Sequence, residues 1–267
     1  MSRPVFSVLL PTKNRSFLVG EAIRSVLSQS LRELELVISD NDDTDATSNV
    51  VRQFDDARLV HARTGGLSMP DNWEAGLAHC RGEYIAVLED KQILKPRALE
   101  TAWNEIKRFS GAGGGQTPRA VTWLSDRFDD GMRPPRLWRA PGGKQSALRS
   151  SDDLLKAFLN DPKQNYKSTV PLIQIGCVHA SLLDEIRKGP MGRCFHAVAP
   201  DVVLGLLQLT YANSVLQIQE ALVLYQSSYH SNGRSLTVKG SVGNQFIKQF
   251  PGGASIFYDH VPIKAIT

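Results

Sequence analysis

The sequence has few of the features that mark metal-binding or secreted domains. Its 267 residues include only three cysteines, Cys80, Cys177 and Cys194, which lie far apart and form no CxxC pair. An odd number of isolated thiols is typical of a reduced cytosolic protein, and it argues against a cysteine-based zinc site.

Long apolar runs are also absent. No stretch of about 18 apolar residues occurs, so the sequence predicts no membrane-spanning helix. The N-terminal run "VFSVLLP" is too short to be the apolar part of a secretion signal. We therefore expect a cytoplasmic protein, and attachment to a membrane surface stays open.

Basic charge is nowhere concentrated. The chain has 31 Lys and Arg against 27 Asp and Glu, a net charge of +4, and its basic residues are scattered. Without a basic run or interleaved aromatics, nucleic acid is not expected as a partner. The mild positive excess fits an anionic substrate or an anionic membrane surface.

Two common nucleotide-binding motifs are missing, since no GxGxxG follows the first strand and no GxxxxGK[ST] occurs. The first 110 residues instead alternate apolar runs with helical stripes. The predicted strands cover residues 5–11, 33–39, 57–62 and 83–89, with helices between them and a last helix at 96–109. This alternation predicts an α/β fold with a mostly parallel sheet flanked by helices.

The pattern becomes less regular after the glycine-rich segment "SGAGGGQTP". Without a second clear linker, we interpret the rest as an elaboration of the same domain. We expect residues 1–110 to form a nucleotide-binding half, 111–235 an acceptor-side half with the catalytic base, and 236–267 a C-terminal tail.

Polar residues stand where three of the predicted strands end. These ends are Pro11-Thr12, Ser39-Asp40 and Glu89-Asp90. In parallel sheets, ligands bind beyond the carboxyl ends of the strands. We therefore expect a single binding crevice at this edge.

Four segments together resemble the family 2 glycosyltransferases, which have a GT-A fold. The segments are "LLPTKNR", "ISDNDDTDAT", "NWEAGLAHCRGEYI" and "LEDKQ", in the family's order and spacing. The resemblance covers roughly residues 5–110. It implies inverting transfer of a sugar from a nucleotide-diphosphate donor, with UDP favoured, to a hydroxyl of a glycan or lipid-linked glycan.

The resemblance places the donor site on residues that follow the strands. The residues it implies are Pro11, Thr12, Asn14, Arg15, Asp40, Asn72, Glu89 and Asp90. Asp40 would accept a hydrogen bond from the uracil N–H, because it lies too far upstream to cap the next helix. Asp43 and Asp45 are expected to be caps of that helix, and Trp73 is expected to pack in the core.

The segment "LEDKQ" departs from the family's Asp-x-Asp pattern, because Lys91 replaces the acid that binds a metal. In one interpretation Lys91 supplies the positive charge that the leaving diphosphate needs, and no metal is used. In another, Asp90 binds Mn or Mg and Lys91 points outward. Lys91 could also be a surface residue of an inactive site, or only a salt-bridge partner of the two acids.

An inverting transfer needs a base for the acceptor hydroxyl. The resemblance places that base at Asp201, at the start of an apolar helix, although an Asp after Pro200 is also a good helix cap. If it is not the base, the acids of "DRFDDG", Asp126, Asp129 and Asp130, are the next candidates.

A polar turn, "YHSNGRSL", lies at residues 229–236. Its His230 and Arg234 belong either to a loop that closes on the diphosphate or to an ordinary surface turn.

Two other functions compete with the transferase. A sugar-nucleotide nucleotidyltransferase would carry a glycine- and arginine-rich loop after the first strand, which "PTKNRS" is not. A degenerate transferase that binds a nucleotide sugar or a glycan without turnover is supported by Lys91.

Overall fold

The structure is a computed structural model that describes residues 3–111, 116–129, 134–142, 145–196 and 199–227, and residue 248. Its strands are β1 (Phe6–Thr12), β2 (Leu34–Asp40), β3 (Leu59–Arg63), β4 (Tyr84–Val87), β5 (Gln92–Leu94), β6 (Ala120–Asp129), β7 (Arg136–Trp138), β8 (Ala147–Ser150), β9 (Gly176–His179) and β10 (Ser214–Ser227). Its helices are α1 (Ser16–Leu27), α2 (Ala46–Val51), α3 (Met69–Leu77), α4 (Ala98–Gly111), α5 (Ser151–Asn160), α6 (Pro162–Thr169), α7 (Ala180–Lys188) and α8 (Pro200–Tyr211), with a 3₁₀ turn at Ile173–Ile175.

All ten strands join one sheet, and eight of them follow the order β3-β2-β1-β4-β9-β6-β10-β5. Strands β1 to β4 pair in parallel, as do β6 and β10, while the short strands β5, β7, β8 and β9 run antiparallel to their neighbours. The predicted α/β class with a mostly parallel sheet is confirmed. The less regular second half extends the same sheet instead of building a separate one.

Two apolar clusters cover the two faces of this sheet. Strand β1 alternates between them, with Phe6, Val8 and Leu10 in one cluster and Leu9 in the other. Helices α1 and α4 pack on the first face, and α3, α7 and α8 pack on the second. Because both faces are covered, β1 is buried throughout, which explains its continuous apolar run.

One prediction about local structure is wrong. Strand β4 stops at Val87 and not at residue 89, so that Glu89 and Asp90 lie in the turn that leads to β5. At its other end Gly82 precedes the strand, where a Cβ would lie 2.4 Å from the backbone nitrogen of Ser7.

In the part of the chain that the structure covers, no helix is both long and apolar enough to cross a membrane.

Candidate active site

The turn after β4 carries the acidic segment, which we define as residues 89–91. Thr12 Oγ1 donates to Asp90 Oδ2 at 3.0 Å, and Arg15 Nη1 lies 3.2 Å from Asp90 Oδ1. The Asp90 side chain is only 2% exposed. Burial raises the pKa of this carboxyl even though Arg15 opposes the shift. The end of β1 and the start of α1 therefore fix the acidic segment in place.

Lys91 is a buried cation, with 7% of its surface exposed. Its Nζ lies 3.2 Å from Glu89 Oε2 and 4.9 Å from the ring centroid of Tyr225 on β10. Burial acts to lower the pKa of Lys91, but Glu89 and Tyr225 outweigh it, so the pKa is raised. The raised pKa favours the charged form of Lys91. The interpretations that place it on the surface or pointing outward are wrong, and the predicted ion pair with an acid of the segment is present.

Asp201 lies in the first turn of α8, directly after Pro200 at the helix start. Its Oδ2 accepts a hydrogen bond of 2.6 Å from Gln174 Nε2. Burial raises the pKa of Asp201, and the nearby Glu89 carboxylate raises it further, while Gln174 and the backbone N–H of Val202 oppose the shift. The cap residue of α8 is Ala199, and no side chain caps the helix, so Asp201 is an acid of the first turn and not its cap. A carboxylate with a raised pKa is also suited to accept a proton.

Two tyrosines complete the surroundings of these charged groups. Burial raises the pKa of Tyr166 on α6, and the carboxylates of Asp201 and Glu89 and the neighbouring Tyr225 raise it further. Tyr166 therefore lies near Asp201 and Glu89, and Tyr225 lies against Lys91. No pattern in the sequence marks Tyr166, because α6 was not predicted, and Tyr225 reads only as part of a strand.

Asp40 is fully buried at the end of β2. Its Oδ2 accepts from Ser48 Oγ at 2.9 Å and lies 3.0 Å from His61 Nε2, and its Oδ1 accepts from the backbone N–H of Asp42 at 3.1 Å. Asp40 does not cap α2, as expected, but its bond to the Ser48 side chain ties the end of β2 to that helix. A contact with uracil stays a prediction.

The turn before α2 is organised differently from the prediction. Asp45 occupies the cap position of α2 as predicted but makes no side-chain cap bond, and Asp42 accepts from the backbone N–H of Thr47 instead. Asp42 also accepts from the backbone N–H of Asn14, which has a left-handed φ of 55°. The Asn14 side chain in turn bonds Asp43. Asn14 therefore ties the loop after β1 to the loop after β2.

Asn72 has a structural role in α3. Its Oδ1 accepts from Ser39 Oγ and from Thr64 Oγ1, both at 2.7 Å, and its Nδ2 donates to the Ser39 carbonyl at 3.3 Å. A donor contact by Asn72 stays a prediction. Trp73 is buried and packs edge-on against Phe195 at 5.3 Å, which confirms its expected place in the core.

The remaining predicted site residues fall into three groups. Pro11 is buried within β1, opposite Ser39. The alternative base Asp126 is bound to Lys95 at 2.9 Å, and Asp129 lies 3.9 Å from Arg127. His230, Arg234 and Asp130 lie outside the described residues.

The carboxylates of the acidic segment already have partners. Asp90 contacts Thr12 and Arg15, and Glu89 is paired with Lys91. Over the described ranges, no group of three or more His, Cys, Asp or Glu side chains could hold a metal ion. Because one or two carboxylates and the substrate phosphates are enough to hold Mg²⁺, transfer without a metal stays a prediction.

Comparison with known families now identifies the class of this protein. The model of the family described as "Glycosyl transferase family 2" matches residues 7–157, more than half of the chain. The chain belongs to this family.

Particular relatives agree with that assignment. A Campylobacter jejuni protein named "GalNAc(5)-diNAcBac-PP-undecaprenol beta-1,3-glucosyltransferase" is 34% identical over 102 residues, which is 37% of this chain and 33% of the relative. The Staphylococcus aureus protein TarS, residues 1–349 in complex with UDP-GlcNAc, superposes with a TM-score of 0.61 at 14% identity, over 91% of this chain and 66% of that one. A mannosyltransferase of Pyrobaculum calidifontis in complex with GDP-Man and Mn2+ superposes with a TM-score of 0.55 at 18% identity, over 85% of this chain and 57% of that one.

The relatives and the solved structures support different conclusions about this protein. At identities of 14% and 18%, the solved structures show the fold alone. The matched part of the Campylobacter jejuni protein is about a third of its length. The family and the GT-A fold are therefore established, and the reaction is argued from the site.

Proposed function

We propose that this protein is an inverting glycosyltransferase that moves a sugar from a UDP-linked donor to a hydroxyl of a glycan or lipid-linked glycan. The observation that carries the proposal is the position of Glu89, whose Oε2 lies 3.2 Å from Lys91 Nζ and whose charge raises the pKa of Asp201. Lys91 and Asp201 thus both lie near one acid that follows β4, at the carboxyl ends of the parallel strands.

This arrangement supplies the two groups that a direct displacement needs. The acceptor oxygen forms a bond to the anomeric carbon while Asp201 takes its proton. The bond from that carbon to the diphosphate oxygen breaks, and the diphosphate leaves with the electron pair. Lys91, together with Arg15, stabilises the negative charge that develops there.

The choice of donor is supported by the relatives. TarS is described in complex with UDP-GlcNAc, and the name of the Campylobacter jejuni relative specifies a lipid-diphosphate acceptor and glucose transfer. The Pyrobaculum calidifontis enzyme is described with GDP-Man and Mn2+, so a guanosine donor belongs in any screen. A lipid-linked acceptor would bring the protein to a membrane surface.

The proposal is tested by measuring nucleotide release. The protein is incubated with UDP-glucose, UDP-N-acetylglucosamine and GDP-mannose, with and without a glycan acceptor, and UDP or GDP is quantified. We expect Asp201→Asn to bind the donor normally and to lose turnover by about 100-fold or more, the usual contribution of a general base. Near-normal turnover in a folded Asp201→Asn variant would contradict the assignment of the base.

A non-catalytic role is the second candidate, because a lysine replaces an acid of the metal motif. Its signature is a thermal shift with a nucleotide sugar but no release of nucleotide from any donor, with or without manganese. Release of UDP by the unmutated chain, abolished in Asp201→Asn, would exclude that role.

A further inference from the structure

Gln174 connects Asp201 to the acidic segment. Its Nε2 donates to Asp201 Oδ2 at 2.6 Å, and its backbone carbonyl accepts from Gln92 Nε2 at 3.2 Å. The Oε1 of Gln92 accepts from the backbone N–H of Glu89 at 2.9 Å. Three hydrogen bonds thus lead from the turn after β4, through two glutamines, to the carboxylate on α8. We call this path the glutamine bridge (Glu89, Gln92, Gln174 and Asp201).

Other contacts fix the distance between the 3₁₀ turn that carries Gln174 and the helix α8 that carries Asp201. Gln208 on α8 donates to the Pro171 carbonyl at 2.9 Å, just before the 3₁₀ turn that carries Gln174. The same helix approaches so closely that a Cβ on Gly205 would lie 2.4 Å from Val170 Cγ1. Thr122 on β6 donates to the last carbonyl of the turn at 2.9 Å. The contact between Gln174 and Asp201 is therefore built into the packing.

The orientation of the Gln174 amide fits an ionised Asp201. Within the described residues, its Oε1 is buried and receives no hydrogen bond, while its Nε2 points to the carboxylate. With the amide turned over, two acceptor oxygens would face each other. A donor aimed at a carboxylate stabilises its charged form. Of the titratable groups that face Asp201 from other elements, Glu89 after β4 acts in the opposite direction, and Tyr166 on α6 keeps its proton because its own pKa is raised.

We propose that Gln174 is a positioning residue that keeps Asp201 ionised and aimed, and that Gln92 couples this carboxylate to the acidic segment. The inference rests on the proposed role of Asp201 as the base. A base must be ionised before the acceptor arrives, and the two carboxylates beside each other work against this. The hydrogen bond from Gln174 in the glutamine bridge favours the ionised form of Asp201 without a second cation near the base.

The decisive measurement is the pKa of Asp201 itself, followed by carbon-13 NMR of the aspartate carboxyls. The resonance of Asp201 is the one missing from Asp201→Asn. We expect Gln174→Met, which keeps the length of the side chain but removes the donor, to raise that pKa by about one unit. Gln164→Met is the matched control, because Gln164 is exposed on α6, and it should leave the titration unchanged. An unchanged pKa in Gln174→Met would overturn the inference.

A second variant keeps the inference testable if Gln174→Met does not fold. Gln174→Glu has the shape of the native side chain and places a second carboxyl beside Asp201, so we expect an upward shift of the Asp201 pKa through like charge. If Gln174→Met does not fold, this variant decides, and a titration identical to that of the unmutated chain would overturn the inference.

Activity separates this inference from the proposed function. The acid limb of UDP release from UDP-N-acetylglucosamine or UDP-glucose should move to higher pH in Gln174→Met, with most turnover regained at high pH. An active Asp201→Asn variant would remove the base assignment. An inactive Asp201→Asn variant with an unshifted Gln174→Met titration would remove only the role of Gln174.

Discussion

Lys91 departs from the Asp-x-Asp pattern of the family and still lies in the candidate site. It stands at the strand end where the metal-binding acid of the family belongs, and it is buried between Glu89 and the ring of Tyr225. A buried lysine is costly unless it is paired. The protein meets that cost with two partners, which supports a function for the positive charge.

We expect nucleotide release by the unmutated chain to survive EDTA and to gain nothing from manganese. Lys91→Met should reduce turnover by about 100-fold, because the charge on the leaving diphosphate is then uncompensated. Lys91→Asp should regain part of the activity only with manganese. Lys95→Met is the control, since Lys95 is bound to Asp126 and should leave turnover nearly unchanged. Activity that EDTA abolishes and manganese restores in the unmutated chain would contradict the role of Lys91.

Asp40 combines a predicted binding role with an observed structural one. Asp40→Ala leaves Ser48 and the Asp42 N–H without their acceptor and removes the partner of His61, so we expect the free energy of unfolding to fall by about 3 kcal/mol. UDP affinity, measured by calorimetry below the unfolding temperature, should fall as well. Asp43→Ala, which removes an exposed carboxylate, is the control. Unchanged UDP affinity in folded Asp40→Ala would show that this carboxylate does not read the base.

At the scale of elements, the sequence predicted most of what its apolar periodicity determines. Strands β1 to β3 lie within two residues of their predicted bounds, and α8 begins at Pro200 as expected. The short pieces β5, β8 and β9 were missed because three or four residues carry no readable period, and their pairing depends on distant strands. Tertiary contacts decide such segments more than local preference does.

Some residues of the candidate site could also be predicted from the sequence, and others could not. Residues at strand ends, such as Thr12 and Asp90, could be predicted, because parallel strands bring their carboxyl ends to one edge. Gln174 and Tyr166 could not, since their positions depend on how α6 and the 3₁₀ turn pack beside α8. The exchange of cap roles between Asp42, Asp43 and Asp45 was also out of reach, because it depends on Asn14 in another loop.

Close packing between elements gives a prediction at this scale. Gly82 lies where the chain enters β4, and any Cβ would come within 2.4 Å of the Ser7 nitrogen on β1. We expect Gly82→Ala to lower the free energy of unfolding by about 2 kcal/mol or more, because backbone atoms must move apart. Gly111→Ala, where a Cβ meets nothing within 4 Å, is the matched control and should be neutral or slightly stabilising. Urea unfolding of both variants measures this difference, and equal stabilities would contradict the packing argument.

For the molecule as a whole, the site places ionisable groups where burial penalises their charge. Burial raises the pKa values of both Asp90 and Asp201. The same sheet holds Glu35, whose pKa is lowered because its bonds to Ser7 and Arg81 outweigh the effect of burial. Glu35 therefore contributes stability above its unfolded pKa, which is lost as the pH falls through its folded value. For Asp90 and Asp201 stability depends on pH in the opposite sense. These two buried carboxylates therefore lower the free energy of unfolding at neutral pH.

This opposition predicts that Asp201→Asn is more stable than the unmutated chain while it loses turnover. A carboxyl with a raised native pKa binds its proton more tightly in the folded state, so stability falls as the pH rises from the unfolded pKa through the folded one. The amide avoids that cost. The free energy of unfolding at pH 7 should rise by an amount on the order of 1 kcal/mol, typical of one substitution, and the gain should vanish below about pH 4, near the unfolded pKa of aspartate. Urea unfolding at both pH values measures it, with exposed Asp184→Asn on α7 as the control. A lower stability of Asp201→Asn at pH 7 would show that the Asp201 carboxylate mainly stabilises the first turn of α8.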